Sequence, residues 1–145
     1  MLKQIQDDMK TALKAGEKKK VSTLRMLIAD IKNESINKRS ALSTDEILSV
    51  IQREIKQRRN ANEEFKKGNR LDLVAENEIE VAILTAYLPQ QLGDEELETI
   101  VLQAVSAVSA TSLKEMGKVM SKVMPQVKGK ADGRRVQAAV KKVLS

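Results

Sequence analysis

Apolar residues recur at intervals of three and four along almost the whole chain, and glycine or proline punctuates the runs they make. That period is the mark of helices burying one face, so the fold class it predicts is all-α. Leu2, Ile5, Met9, Ala12 and Leu13 outline a first helix closed by Gly16, and Val21, Leu24, Leu27, Ile28 and Ile31 carry a second to about Arg39. A third opens where Ser43 and Glu46 make a capping box, with Leu42 and Ile47 placed as a hydrophobic staple. Its stripe is Ile47, Val50, Ile51, Ile55 and Phe65, and Gly68 ends it. The spacing gives a fourth helix the face Leu71, Ala75, Ile79, Ala82, Ile83, Ala86 and Tyr87, up to Pro89.

After Leu92 the composition changes. Asp94, Glu95, Glu96 and Glu98 open a fifth helix behind Gly93, where acids suit the helix dipole. Ile100, Val101, Ala104, Val105 and Val108 form its inner face. Ser112 and Glu115 repeat the capping-box pattern ahead of a stripe of Leu113, Met116, Val119, Met120, Val123 and Met124, and Pro125 is expected to stop that sixth helix. A short loop through Gly129 and Gly133 follows, with Asp132 as N-cap of a last helix that buries Val136, Ala139, Val140, Val143 and Leu144. The expected organisation is a four-helix domain over residues 1–90 and a three-helix domain over 93–145.

Residue content then narrows the chemistry. The 145 residues include no histidine and no cysteine, which removes imidazole acid–base work, thiol nucleophiles and the usual zinc sites. No catalytic residue, cofactor or metal is therefore assigned. Aromatic residues at 1% leave nothing for a base-stacking platform. No apolar run approaches the ~20 residues that cross a bilayer. The opening Met1 to Lys10 carries acids and no apolar stretch, unlike a secretory signal, so a cytoplasmic address is the default expectation, with a monomeric state.

Charge is uneven along the chain. Lys114 to Ser145 holds nine cations against two acids, a net +7, whereas the whole chain is +6 and the remainder therefore −1. A positive field at one end points to an anionic partner there. Two glycines flanked by lysines, leading into a helix N-terminus with Arg134 and Arg135, supply the parts of a phosphate cradle. The candidate RNA contacts are Lys118, Lys122, Lys128, Gly129, Lys130, Arg134, Arg135 and Lys141. Gly117-Lys118 and Gly129-Lys130 both lack the upstream glycine of a P-loop. In the third helix, Arg58 and Asn62 fall on the apolar stripe and need partners. Folding back around Gly68-Asn69-Arg70 brings Arg58 level with Glu78 or Glu80, which predicts a structural brace.

Two sets of residues carry a resemblance. Met116-Gly117-Lys118-Val119-Met120, then Lys128-Gly129-Lys130-Ala131-Asp132 and a final apolar helix, resemble the tail domain shared by the GatB subunit of tRNA-dependent amidotransferases and the small YqeY proteins. Arg53-Glu54, Lys56-Gln57-Arg58, Glu64-Phe65, Arg70-Leu71-Asp72-Leu73 and Tyr87-Leu88-Pro89-Gln90-Gln91-Leu92 resemble the N-terminal helical domain of YqeY proteins. The resemblance implies a non-catalytic accessory protein that binds tRNA or another structured RNA. It also brings an amidotransferase-like association, carbon–nitrogen ligation with glutamine as amido donor, which belongs to the larger proteins sharing the tail. The alternative is a helical protein–protein interaction module whose partner is a translation enzyme.

Overall fold

The computed structural model describes all 145 residues as seven α-helices and one 3₁₀ turn, with no strand, so the fold is all-α. The chain divides into two compact units, Met1–Leu88 and Pro89–Ser145.

The first unit comprises α1 (Leu2–Lys14), α2 (Lys18–Lys38), α3 (Thr44–Lys67) and α4 (Leu71–Thr85). α1 packs on α2, and α3 and α4 form a hairpin that closes on α2. Asn69, at φ 56°, takes the left-handed turn between α3 and α4, a conformation asparagine tolerates better than most residues. The start of α3 follows the sequence closely. Ser43 accepts from the Glu46 amide at 3.2 Å, and Glu46 accepts from the Ser43 amide at 3.0 Å. Lys38 reinforces that carboxylate at 2.6 Å, and these contacts hold the Glu46 carboxyl down at about 2.

Ile5, Leu24, Leu27, Ile31, Ile51 and Leu84 are the fully buried centre of this unit. Each such side chain contributes about 1.5–3 kcal/mol by leaving water. The face predicted for α4 is rotated. Leu71 and Ile79 are 62% and 53% exposed, while Val81 and Leu84 are buried. Apolar residues lie on every side of α4, so periodicity alone does not select a face; the packing of α2 and α3 does. Tyr87, just past α4, donates to Asp8 of α1 at 2.5 Å, and burial together with that bond pushes the phenol above its usual range.

The second unit comprises α5 (Asp94–Ala107), the 3₁₀ turn Leu113–Glu115, α6 (Met116–Val127) and α7 (Gly133–Leu144), with each helix packed on the other two. Val101, Val119, Val123, Val127, Val136 and Val140 are all at 0% exposure and form its core. Two expectations for α6 are corrected here. Ser112 gives no side-chain cap; instead the Glu115 carboxylate accepts from the Thr111 amide at 2.8 Å. Pro125 does not stop the helix, which continues to Val127. The ring sits on the exposed side, so it removes one helical hydrogen bond, and burying Val127 retains the last turn.

Candidate nucleic-acid interface

In the second unit the sequence-predicted cations fall into separate groups. α7 presents Arg135 and Lys142 seven residues apart, two turns along one side. Arg135 donates to Asp94 of α5 at 3.0 Å and to the Leu92 carbonyl at 2.7 Å. Lys142 lies 3.7 Å from Glu98, one turn further along α5. The Arg135 bonds tie α5 to α7, and Lys142 faces Glu98 across the same seam as an exposed ion pair, so Arg135 has a structural engagement of its own.

α6 presents the opposite case. Its inward face is Val119, Val123 and Val127, with Met116, Met120 and Met124 half-buried beside them. Lys118 and Lys122, one turn apart on the outer face, are exposed, and Lys114 in the 3₁₀ turn extends the row backward. The Cα atoms of Lys118 and Lys122 are thus about 6 Å apart along the axis. None of the three is paired with a carboxylate, because the acids of this unit lie on α5 or act as caps. Lys114 was not among the sequence-predicted contacts; its four-residue spacing to Lys118 was the available signal.

The loop between α6 and α7 is fixed by backbone bonds. Gly129 is buried at φ 78°, and its carbonyl accepts from the Gln91 side chain at 2.8 Å. The Lys130 carbonyl accepts from the Leu92 amide at 2.8 Å. Lys128 and Lys130 flank Gly129 with exposed side chains. Asp132 caps α7, accepting from the Arg135 amide at 2.8 Å. The end of α7 that a phosphate would approach therefore already carries a carboxylate. Arg134 and Lys141, seven residues apart, are exposed on a flank of α7 away from Arg135.

In the first unit, Arg58 spans the α3–α4 seam. Its Nε donates to Glu80 at 3.3 Å, and its Nη1 donates to the Glu54 carbonyl at 3.2 Å. Glu78 is engaged elsewhere: it accepts from Asn62 at 3.1 Å, and Asn62 in turn accepts from Asn77 at 2.9 Å.

Sequence reasoning missed the most unusual member of this seam. Glu54 is 1% exposed, and neither carboxylate oxygen accepts a hydrogen bond; its nearest cation, Arg58, stands at 3.7 Å. Burial and then the neighbouring Asp30 push its carboxyl up from 4.5 to about 7, against the pull of Arg58 and Arg53. The signal was present in the periodicity, since Glu54 lies on the stripe running through Val50, Ile51, Ile55, Arg58 and Asn62.

Comparison with known proteins gives one family and several relatives. The sequence model of the YqeY-like proteins matches residues 2–144. A protein of Pyrenophora tritici-repentis named "Altered inheritance of mitochondria protein 41, mitochondrial" is 28% identical over 147 aligned residues, covering 99% of this chain and 81% of its own length. Its namesake in Lachancea thermotolerans is 34% identical over 87 residues, 59% of this chain and 46% of that protein. An uncharacterised protein of Schizosaccharomyces pombe is 28% identical over 83 residues, 57% of this chain and 68% of that one. These names correct the expected cytoplasmic address: similar proteins are named as mitochondrial, so the composition of the first residues does not set the compartment. The family match runs from the first turn of α1 to the end of α7, and the chain belongs to the YqeY-like proteins.

Proposed function

We propose that this small helical protein is an accessory factor that binds tRNA or another structured RNA through its second unit, without chemistry of its own. The observation that carries the reading is the outer face of α6. Lys114, Lys118 and Lys122 form a row one turn apart, on a helix whose other side is anchored in the core, with no carboxylate paired to any of them. A row of ammonium groups carried by an anchored helix suits the phosphates of a folded strand, read by shape and charge. The scarcity of aromatic residues accords with backbone contacts over base stacking. Lys128 and Lys130 add two further exposed cations in the loop after α6.

Fluorescence anisotropy with labelled tRNA across a salt series tests this. Affinity should fall steeply with salt, and changing Lys114, Lys118 and Lys122 together to Ala should flatten the log–log slope by about 2–3. Lys142→Ala, removing a cation engaged with Glu98, should alter the slope far less. Affinity unmoved by the triple substitution overturns the reading.

A further inference from the structure

We propose that a groove at one end of the first unit is a docking site for an acidic, apolar-anchored peptide segment of a partner protein. The groove has a volume of about 450 Å³ and lies between the start of α1, the last turns of α2 and the α2–α3 connection. Its floor is apolar: Leu2, Ile31, Leu42 and Ile47. At its edge stands Ile36, 71% exposed, a large apolar side chain that the fold leaves without cover.

The wall beside Ile36 is built with some strain. α2 ends with the Arg39 amide bonded to the Ile36 carbonyl and the Ser40 amide bonded to the Ser35 carbonyl. That closure puts Arg39 at φ 64°, a left-handed conformation that glycine adopts without the steric cost. The Ser35 hydroxyl then donates to the Ser40 carbonyl at 2.8 Å. These bonds hold Ala41 and Leu42 across the end of α2, so the groove is pre-formed.

Charge selects the occupant. The charged side chains lining the groove are Lys3 and Lys32, both exposed. Of the acids nearby, Glu34 is engaged by Arg53 and Glu46 by Lys38, while Asp7 and Asp45 are exposed outside the lining. The lining itself thus carries positive side chains and no acid over an apolar floor. Small-molecule sites add several convergent polar groups that fix orientation; here the uncharged polar side chains of the lining are Ser35, already bonded, and Thr44 alone. A nucleic acid would satisfy the lysines and leave the floor uncovered. An amphipathic segment with two apolar anchors on one face and Asp or Glu beside them satisfies both, in the helix-in-groove manner.

The test uses a random twelve-residue peptide library displayed on phage and selected against the immobilised full chain. Selected sequences should pair apolar anchors three or four residues apart with flanking acids. A synthetic copy of the strongest should bind saturably, and its amide-shift footprint should fall on residues 2–3, 31–36 and 41–47. Lys3→Glu with Lys32→Glu should weaken it about tenfold or more, and Ile36→Ser should weaken it less. A peptide with its acids exchanged for lysine should recover binding to the double variant. The proposal is overturned by enrichment no better than a blank surface, by basic winners, or by binding indifferent to both sets of substitutions. Self-association of the chain that Lys3→Glu/Lys32→Glu abolishes would also overturn it, by assigning the groove to a second copy.

Discussion

Replacing Glu54 by Gln removes a carboxyl that the first unit buries beside Asp30 with no donor to its oxygens. The carboxyl is raised from 4.5 to about 7, a shift of about 2.5 units, and each unit corresponds to about 1.4 kcal/mol. About 3 kcal/mol of stability is therefore linked to one proton. Because the folded-state value lies above the unfolded one, folding takes up that proton; the contribution is fully present below pH 4.5 and is lost as pH rises to about 7. Glu54→Gln has no such proton. The difference in unfolding free energy, native chain minus variant, should therefore decline by about 3 kcal/mol from about pH 4.5 to about pH 8. Tyr87 is the single tyrosine and belongs to the first unit, so its fluorescence in urea titrations follows this unit. Taking the difference cancels the other titrating groups, apart from those coupled to Glu54. Asp30→Asn should reduce the decline by removing the like charge beside the carboxyl. A difference constant to within about 0.5 kcal/mol across that range would refute the reasoning.

Three further outcomes follow from local geometry. Arg39→Gly should stabilise the first unit by up to about 1 kcal/mol, because the φ of 64° no longer meets a side chain; urea titration on Tyr87 reads it. Asp132→Ala should cost the second unit about 1 kcal/mol by leaving the Arg135 amide without its 2.8 Å acceptor, seen as faster amide exchange in α7. Gly129→Ala should destabilise the same unit by about 1–2 kcal/mol, since the position is buried at φ 78°. Protection in the first unit should be unchanged by the last two.

Much of the architecture was legible in the sequence where a local rule and the tertiary packing agree. Ser43 with Glu46 and Asp132 before α7 are such cases, because a cap needs only its own first turn. α4 is the converse: with apolar side chains all round, its buried side is decided by α2 and α3, and the exposure of Leu71 and Ile79 was not readable from spacing. Pro125 shows a tertiary override, where the buried Val127 outweighs a breaker on the exposed side. Charge was the least legible property. Lys142 and Lys118 look alike in one dimension, and only the position of α5 distinguishes a cation facing Glu98 from one facing solvent. Glu54 was overlooked for a related reason: a carboxylate next to Arg53 and two residues from Lys56 reads as surface until its helical phase is followed.

The α5–α7 stitching gives the second unit a built-in polarity. Asp94 and Glu98 neutralise Arg135 and Lys142 along one seam, while the lysines of α6 have no such counterweight on their own side. A body charged in this lopsided way behaves as a dipole as well as a cation. In the field of a polyanion such a body is turned before it touches, its acidic α5 side trailing, so any such approach is oriented at long range and short-range contacts have fewer wrong poses to reject.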